Sequence, residues 1–435
     1  MLVRLGSRWA VVALVVVLMA AWGCAKPAGQ GGVTLRMWAM GREGEVVGEL
    51  LTDFEREHPG VHVDVQQIPW SAAHEKLLTA HVGHSTPDVA QLGNSWIPEF
   101  AALNAVEPLD PFLATSSTTP KAGFFPGIWE TNVVDSVTYG LPWYVDTRVL
   151  FYRKDLLKQA GYDAMPTTWA EWRRSMERIK AQVGPDRFAI FLPLNEWNPP
   201  FVLAASAGSN ILSADGTRGA FQTPEFRKAF DFYLDLFRDR LAPPINDNGI
   251  ANLYQEFERG YFSMYITGPW NIGEFRRRLA PENQDKWATA PMPGPDGAAT
   301  GLSMAGGSSL VVFRGSKHKP ESWLLLEYLA RPQVQAKFYR LTGDLPARQE
   351  SWSDSALVAD PAILAFGEQL RRVAPAPRVP EWEQITRKII ERVETVVLGG
   401  ANRDSALAGL DRDADRILEK RHWLVERART KGASR

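Results

Sequence analysis

Apolar residues recur along this chain with two periods, one near two and one near 3.6, in alternation. Thr34 to Met40 predicts a strand, running through Trp38 toward Arg42 and Glu43. Val46, Val47, Leu50, Leu51 and Phe54 then share one helical face until Pro59 and Gly60 stop the helix. Val61, Val63 and Val65 alternate as a second strand. Ser71 is placed to cap a further helix through Leu77 and Leu78 to about Val82. Pro87 to Gly93 predicts a third strand, opening into Asn94, Ser95 and Trp96. This strand–helix rhythm predicts an α/β fold with a parallel sheet.

The pattern continues. Val149 to Tyr152 predicts a strand, and Lys154 to Ala160 a short helix ended by Gly161. Thr167 or Thr168 caps a helix from Trp169 to about Ala181. Phe188 to Pro193 predicts a strand ending at Asn195, Glu196, Trp197 and Asn198, with helices over Phe201–Ala207 and Pro224–Arg240. Met264 to Thr267 reads as a buried strand that the turn pair Gly268-Pro269 ends, presenting Trp270 and Asn271 beyond it. Lys286 to Pro291 is strand-like, and Leu310 to Phe313 is a strand after Gly306, Gly307, Ser308 and Ser309. Pro320–Leu329 and Pro332–Leu341 predict amphipathic helices, and Thr342 to Arg348 a turn. Ser353 onward is mostly helical, its basic end a solvated helix and frayed tail.

Length and charge narrow the function. At 435 residues the chain exceeds one ordinary core, so two domains are expected. The net charge of -1 leaves no electrostatic footprint for nucleic acid. Sixteen Trp and ten Tyr suit a flat ligand with polar edges, although most of them belong in the core. At the amino terminus Arg4 and Arg8 precede an apolar run, Trp9 to Ala21, shorter than the ~20 residues that span a bilayer. Cys24, the single cysteine, follows Ala21-Trp22-Gly23 in a pattern that resembles a bacterial lipobox. That resemblance implies a signal peptide over 1–23, lipid on Cys24 and a tether over 24–32, holding the protein outside the cytoplasmic membrane. Ala21 stands where Leu is usual and Trp22 is bulky, so ordinary cleavage near Ala25 is the alternative.

Six phrases fall in a familiar order. They are Phe54 to Val63, Pro87 to Val89, Gly140 to Leu156, Pro166 to Trp172, Phe257 to Trp270, and Thr342 to Arg348. From about Thr34 to Leu418 the chain resembles the maltose-binding-protein-like, carbohydrate-binding solute receptors of ABC importers. The resemblance implies a type II, two-lobed periplasmic-binding-protein fold with a hinge and an inter-lobe ligand cleft. The lobes would be 32–144 plus 308–345, and 146–306 plus 346–430. It further implies a monomer that closes on a mono- to oligosaccharide and is recognised by permease subunits. No catalytic residue, metal or cofactor is expected.

A sugar offers hydroxyls at its rim and C–H faces above and below, so its site needs amides, carboxylates and aromatic planes. The resemblance places Trp270 as the stacking aromatic and Glu196 and Asp146 as sugar-binding acids. Asn94, Ser95, Trp96, Tyr144, Asn195, Trp197, Asn271, Gly307, Arg348 and Glu43 complete the expected contacts. Several have structural alternatives: Ser95 and Asn271 as helix caps, Gly307 as a hinge turn, and Asp146 as the ion partner of Arg148. His74 and His81 share a helical face, but Gly83 ends the helix before His84 and no cysteine is near, which argues against zinc. A secreted glycoside hydrolase is the rival class, with Asp146 and Glu196 as its acids. An anion receptor is a second rival, and Arg42, Arg148 and Arg348 are few for it.

Overall fold

The computed structural model describes residues 32–433. The signal segment, Cys24 and the tether up to residue 31 lie outside the described residues. Two sheets organise the chain. The larger has six strands in the spatial order Leu345–Pro346, Leu141–Asp146, Gly306–Val312, Val89–Gly93, Val33–Met40, Val61–Ile68. The first three strands in sequence pair parallel, as the alternation predicts, and Gly306–Val312 enters antiparallel between Val89–Gly93 and Leu141–Asp146. The smaller sheet orders Trp287–Ala290, Val149–Arg153, Phe262–Thr267 and Phe188–Phe191. The chain crosses from large to small sheet after Asp146, back before Gly306, and leaves the large sheet again after Pro346.

The central strands of both sheets are buried, and the edge strand Val61–Ile68 leaves one face to solvent. Leu35, Met37 and Ala39 face one core while Met40 faces another. Along Phe262–Thr267, Phe262 and Tyr265 point to the first core and Met264 and Ile266 to a third. Aromatic rings fill the space that helices leave. Trp143 stacks on Phe338 at 4.4 Å, and Phe151 stacks on Trp287 at 5.8 Å. Trp172 is fully buried and its indole N–H meets Met264 Sδ at 3.2 Å. Burying each such side chain contributes about 1.5–3 kcal/mol.

Local signals held where a side chain caps and failed where backbone alone does. Thr168 accepts from the Glu171 N–H at the start of Trp169–Val183. Ser71 is no cap: the helix starts one residue earlier, at Trp70, with Pro69 at the cap position. The helix expected from Phe201 starts at Asn198, because Pro199 and Pro200 occupy the first turn, where a missing N–H costs nothing. The strand expected from Leu310 begins at Gly306, since Gly306 pairs with Asp146 and Gly307 with Val145. Gly307 has φ +123°, and a Cβ there would lie 2.3 Å from the Tyr144 carbonyl, so no larger residue fits. The basic end is a helix, Glu419–Ala433, tied back by Arg429 to Asp215 at 3.0 Å.

Candidate functional site

The strand ends of both sheets open on one cleft of about 610 Å³. From the larger sheet come Glu43, Asn94, Ser95, Trp96, Tyr144, Asp146 and Gly307. From the other side come Arg148, Trp197, Asn198 and Trp270. Strand carboxyl ends are where α/β sheets leave room for ligands.

Four indole rings line it: Trp70, Trp96, Trp197 and Trp270. Trp70 and Trp96 meet edge to face at 5.8 Å, and Trp197 leans on the buried Trp382 at 5.4 Å. Trp270 begins the helix Trp270–Arg278 and is 41% exposed. The Arg148 guanidinium lies 4.7 Å from its ring centroid, covering one face. Gly268 makes this pose possible: a Cβ there would sit 2.0 Å from the indole.

Beneath the rings is a buried polar floor. Tyr144 Oη donates to Glu43 Oε1 at 2.7 Å, and Gln91 Nε2 reaches Glu43, Tyr144 and Ser308 at 3.3, 3.3 and 3.1 Å. Burial, then the Glu43 charge, pushes the Tyr144 phenol well up, so it stays a donor. Asp344 reaches the cleft because Gly343, left-handed at φ 86°, ends the helix Pro332–Thr342 and turns the chain inward. Burial raises its carboxyl well above the usual range, and the Glu43 and Asp146 charges add to the rise. Asp146 is ion-paired with Arg148, yet burial outweighs the pairing and its carboxyl is also raised. Burial pulls Arg148 down, and Asp146 and Glu196 more than offset it. Two amide atoms of the cleft have no partner: Asn94 Nδ2, a donor, and Asn198 Oδ1, an acceptor.

Four expected contacts lie elsewhere. Asn271 is buried, donating to Thr267 Oγ1 at 2.7 Å and accepting from Tyr254 Oη at 2.9 Å, so it braces its own helix start. Asn195 faces Asp247, its Nδ2 donating at 2.7 Å, and does not line the cleft. Glu196, half-buried, does not line the cleft but is near Arg148 and bonded to Asn198, both of which do; burial raises its carboxyl, and Arg148 opposes the rise. Arg348 is 3% exposed, stacked over Phe124 at 5.1 Å and donating to the Thr118 and Ala330 carbonyls and Glu350. It bolts the segment after Pro346 to loops of the larger half. Arg348→Lys loses that planar fork and is expected to cost about 1 kcal/mol of stability in thermal denaturation. Any ligand-induced rise in Tm should survive the change. Ser95 caps nothing: no side chain caps the short helical turn Asn94–Trp96. His74 pairs with Glu99 at 2.7 Å and packs on Trp96. Among the described residues no three His, Cys, Asp or Glu side chains group to hold a metal.

Trp70, Gln91, Asp344, Arg378 and Glu383 escaped the sequence reading, although Asp344 sits inside the phrase Thr342 to Arg348. Gln91 was hidden in an apolar strand, and only the pairing partners show its role.

The chain is similar to the sugar-binding protein MalE of Xanthomonas citri, with 49% identity and a TM-score of 0.87 over 91% of this chain and 99% of that one. An ABC transporter solute-binding protein of Thermotoga lettingae, solved with α-D-tagatose, shares 27% identity at a TM-score of 0.75, covering 89% and 100%. The galactooligosaccharide-binding protein of Bacillus subtilis is 25% identical over 400 residues, 90% of this chain and 91% of its own length. The family model for bacterial extracellular solute-binding proteins matches residues 41–336, and this chain belongs to that family.

Proposed function

We propose that this chain captures a sugar or oligosaccharide in the cleft, closes on it and delivers it to the permease of an ABC importer. The carrying observation is the pairing of indole faces with unpartnered amides: Trp96 and the Asn94 donor on one half, Trp270 and the Asn198 acceptor on the other. An unpaired buried amide costs about 1–3 kcal/mol, and a rotation of each side chain toward the cleft would let a ligand hydroxyl pair it and recover that cost. The relatives named for sugars and oligosaccharides support the same class. A ligand touching both halves favours closure, because only the closed form makes both sets of contacts.

The hinge reading follows from the crossings after Asp146, before Gly306 and after Pro346, with lobes of 32–144 plus 308–345 and 146–306 plus 346–430. Lipid on Cys24 would hold a monomer at the membrane, near the permease. A thermal-shift screen over mono- and disaccharides tests the reading, since a ligand of the folded state raises Tm. At least one sugar is expected to raise Tm at millimolar concentration. A flat response to every sugar, beside a response to phosphate or other anions, would sink it.

A further inference from the structure

The cleft shares a wall with a second cavity of about 670 Å³. Ala376, Pro377 and Arg378 line both. In the run Pro375-Ala376-Pro377-Arg378 two prolines fix the backbone and Ala376 has no reach, so Arg378 is its one long side chain. That side chain crosses to the opposite half. Its Nη1 donates to the Val133 carbonyl at 3.1 Å, and to the carbonyl and Oε2 of Glu130, both at 3.3 Å. The Arg378 and Glu130 side chains are 44% and 43% exposed, and an ion pair so exposed adds little stability. A ligand can displace it. Beyond it, the second cavity presents Asp135 and Arg421, whose buried Nε has no acceptor, beside a turn in which Ser213 and Asp215 bond each other.

We propose that the second cavity is a binding subsite for the distal units of a linear oligosaccharide, and that Arg378 is the gate that sets chain length. The inference rests on the sugar reading above. A chain leaving the cleft at this wall would trade the weak Arg378–Glu130 pair for hydroxyl contacts with Asp135 and Arg421. Because prolines stiffen the wall, moving one side chain suffices, and the lobes need not rearrange.

The test is titration calorimetry on the mature protein with series of two to six units built on maltose, cellobiose and β-1,4-galactobiose. Arg378→Ala is expected to raise the affinity for the six-unit chain relative to the two-unit chain by about tenfold over the unmodified protein. Ala214→Trp fills the second cavity alone and, added to Arg378→Ala, is expected to cancel that gain. A change of equal size at every length would show Arg378 to be a lobe fastener only, and would overturn the proposal. So would a gain that persists beside Ala214→Trp. An unmodified protein that binds short chains keeps the sugar reading whichever way the variants fall. One that binds no member of any series overturns that reading and this inference together.

Discussion

Trp270→Ala is expected to weaken binding of the best sugar on the order of 30- to 100-fold, about 2–3 kcal/mol, the usual cost of truncating a central tryptophan. The geometry sets up this loss. Arg148 covers one face of the indole and Gly268 lets the ring lie back over the backbone, which leaves the other face for a ligand. Arg148 is itself held by Asp146, so the platform is fixed before the ligand arrives. At 41% exposure the ring fills no core, and the unliganded Tm should move little. Trp270→Tyr retains an aromatic plane and is expected to recover part of the affinity. The readout is the ligand-induced Tm rise together with calorimetric Kd. An undiminished rise in Trp270→Ala would remove this ring from the recognition surface.

What could be read in advance followed from side-chain period, and what could not followed from backbone geometry. The phrase Met264 to Asn271 shows both. Alternation predicts the strand, and Gly268-Pro269 predicts its end, but nothing in the spacing says that Trp270 enters the cleft while Asn271 turns inward to Thr267 and Tyr254. Helical geometry decides that, because neighbours on a helix point about a quarter-turn or more apart. Gly306 and Gly307 carry no apolar signal, and their place in the strand is set by pairing with Asp146 and Val145. Arg348 ends the same phrase that contains Asp344, and a charged residue there reads naturally as the ligand contact. The helix end at Gly343 reverses the roles: Asp344 enters the cleft, while Arg348 bolts loops behind it. The interleaving of the two halves rests on which strands pair at a distance, and local period holds no record of that.

Asp344→Asn should separate stability from binding. The Asp344 carboxyl is raised by burial first and then by Glu43 and Asp146, both negative, while Thr342 opposes the rise. Its folded value therefore lies above the ordinary 3.8. The folded state keeps a proton that the unfolded chain releases, so stability is highest below the ordinary value and falls as pH rises toward the folded one. Asparagine cannot ionise, and it removes that slope. The variant is expected to match the unmodified protein near pH 4 and to exceed it at pH 8, by on the order of 1–3 kcal/mol, the cost of a poorly compensated buried polar group. Tm measured from pH 4 to 8 reads this directly, and a difference that stays constant across the range would mean that Asp344 titrates normally. The same change should cost binding. A carboxylate accepts from ligand hydroxyls with charge-assisted strength, about 1.5–3 kcal/mol, and an amide gives roughly half of that. Asp344→Asn should thus be the more stable protein at pH 8 and the weaker receptor, because the buried charge that costs stability is the one a bound hydroxyl would satisfy.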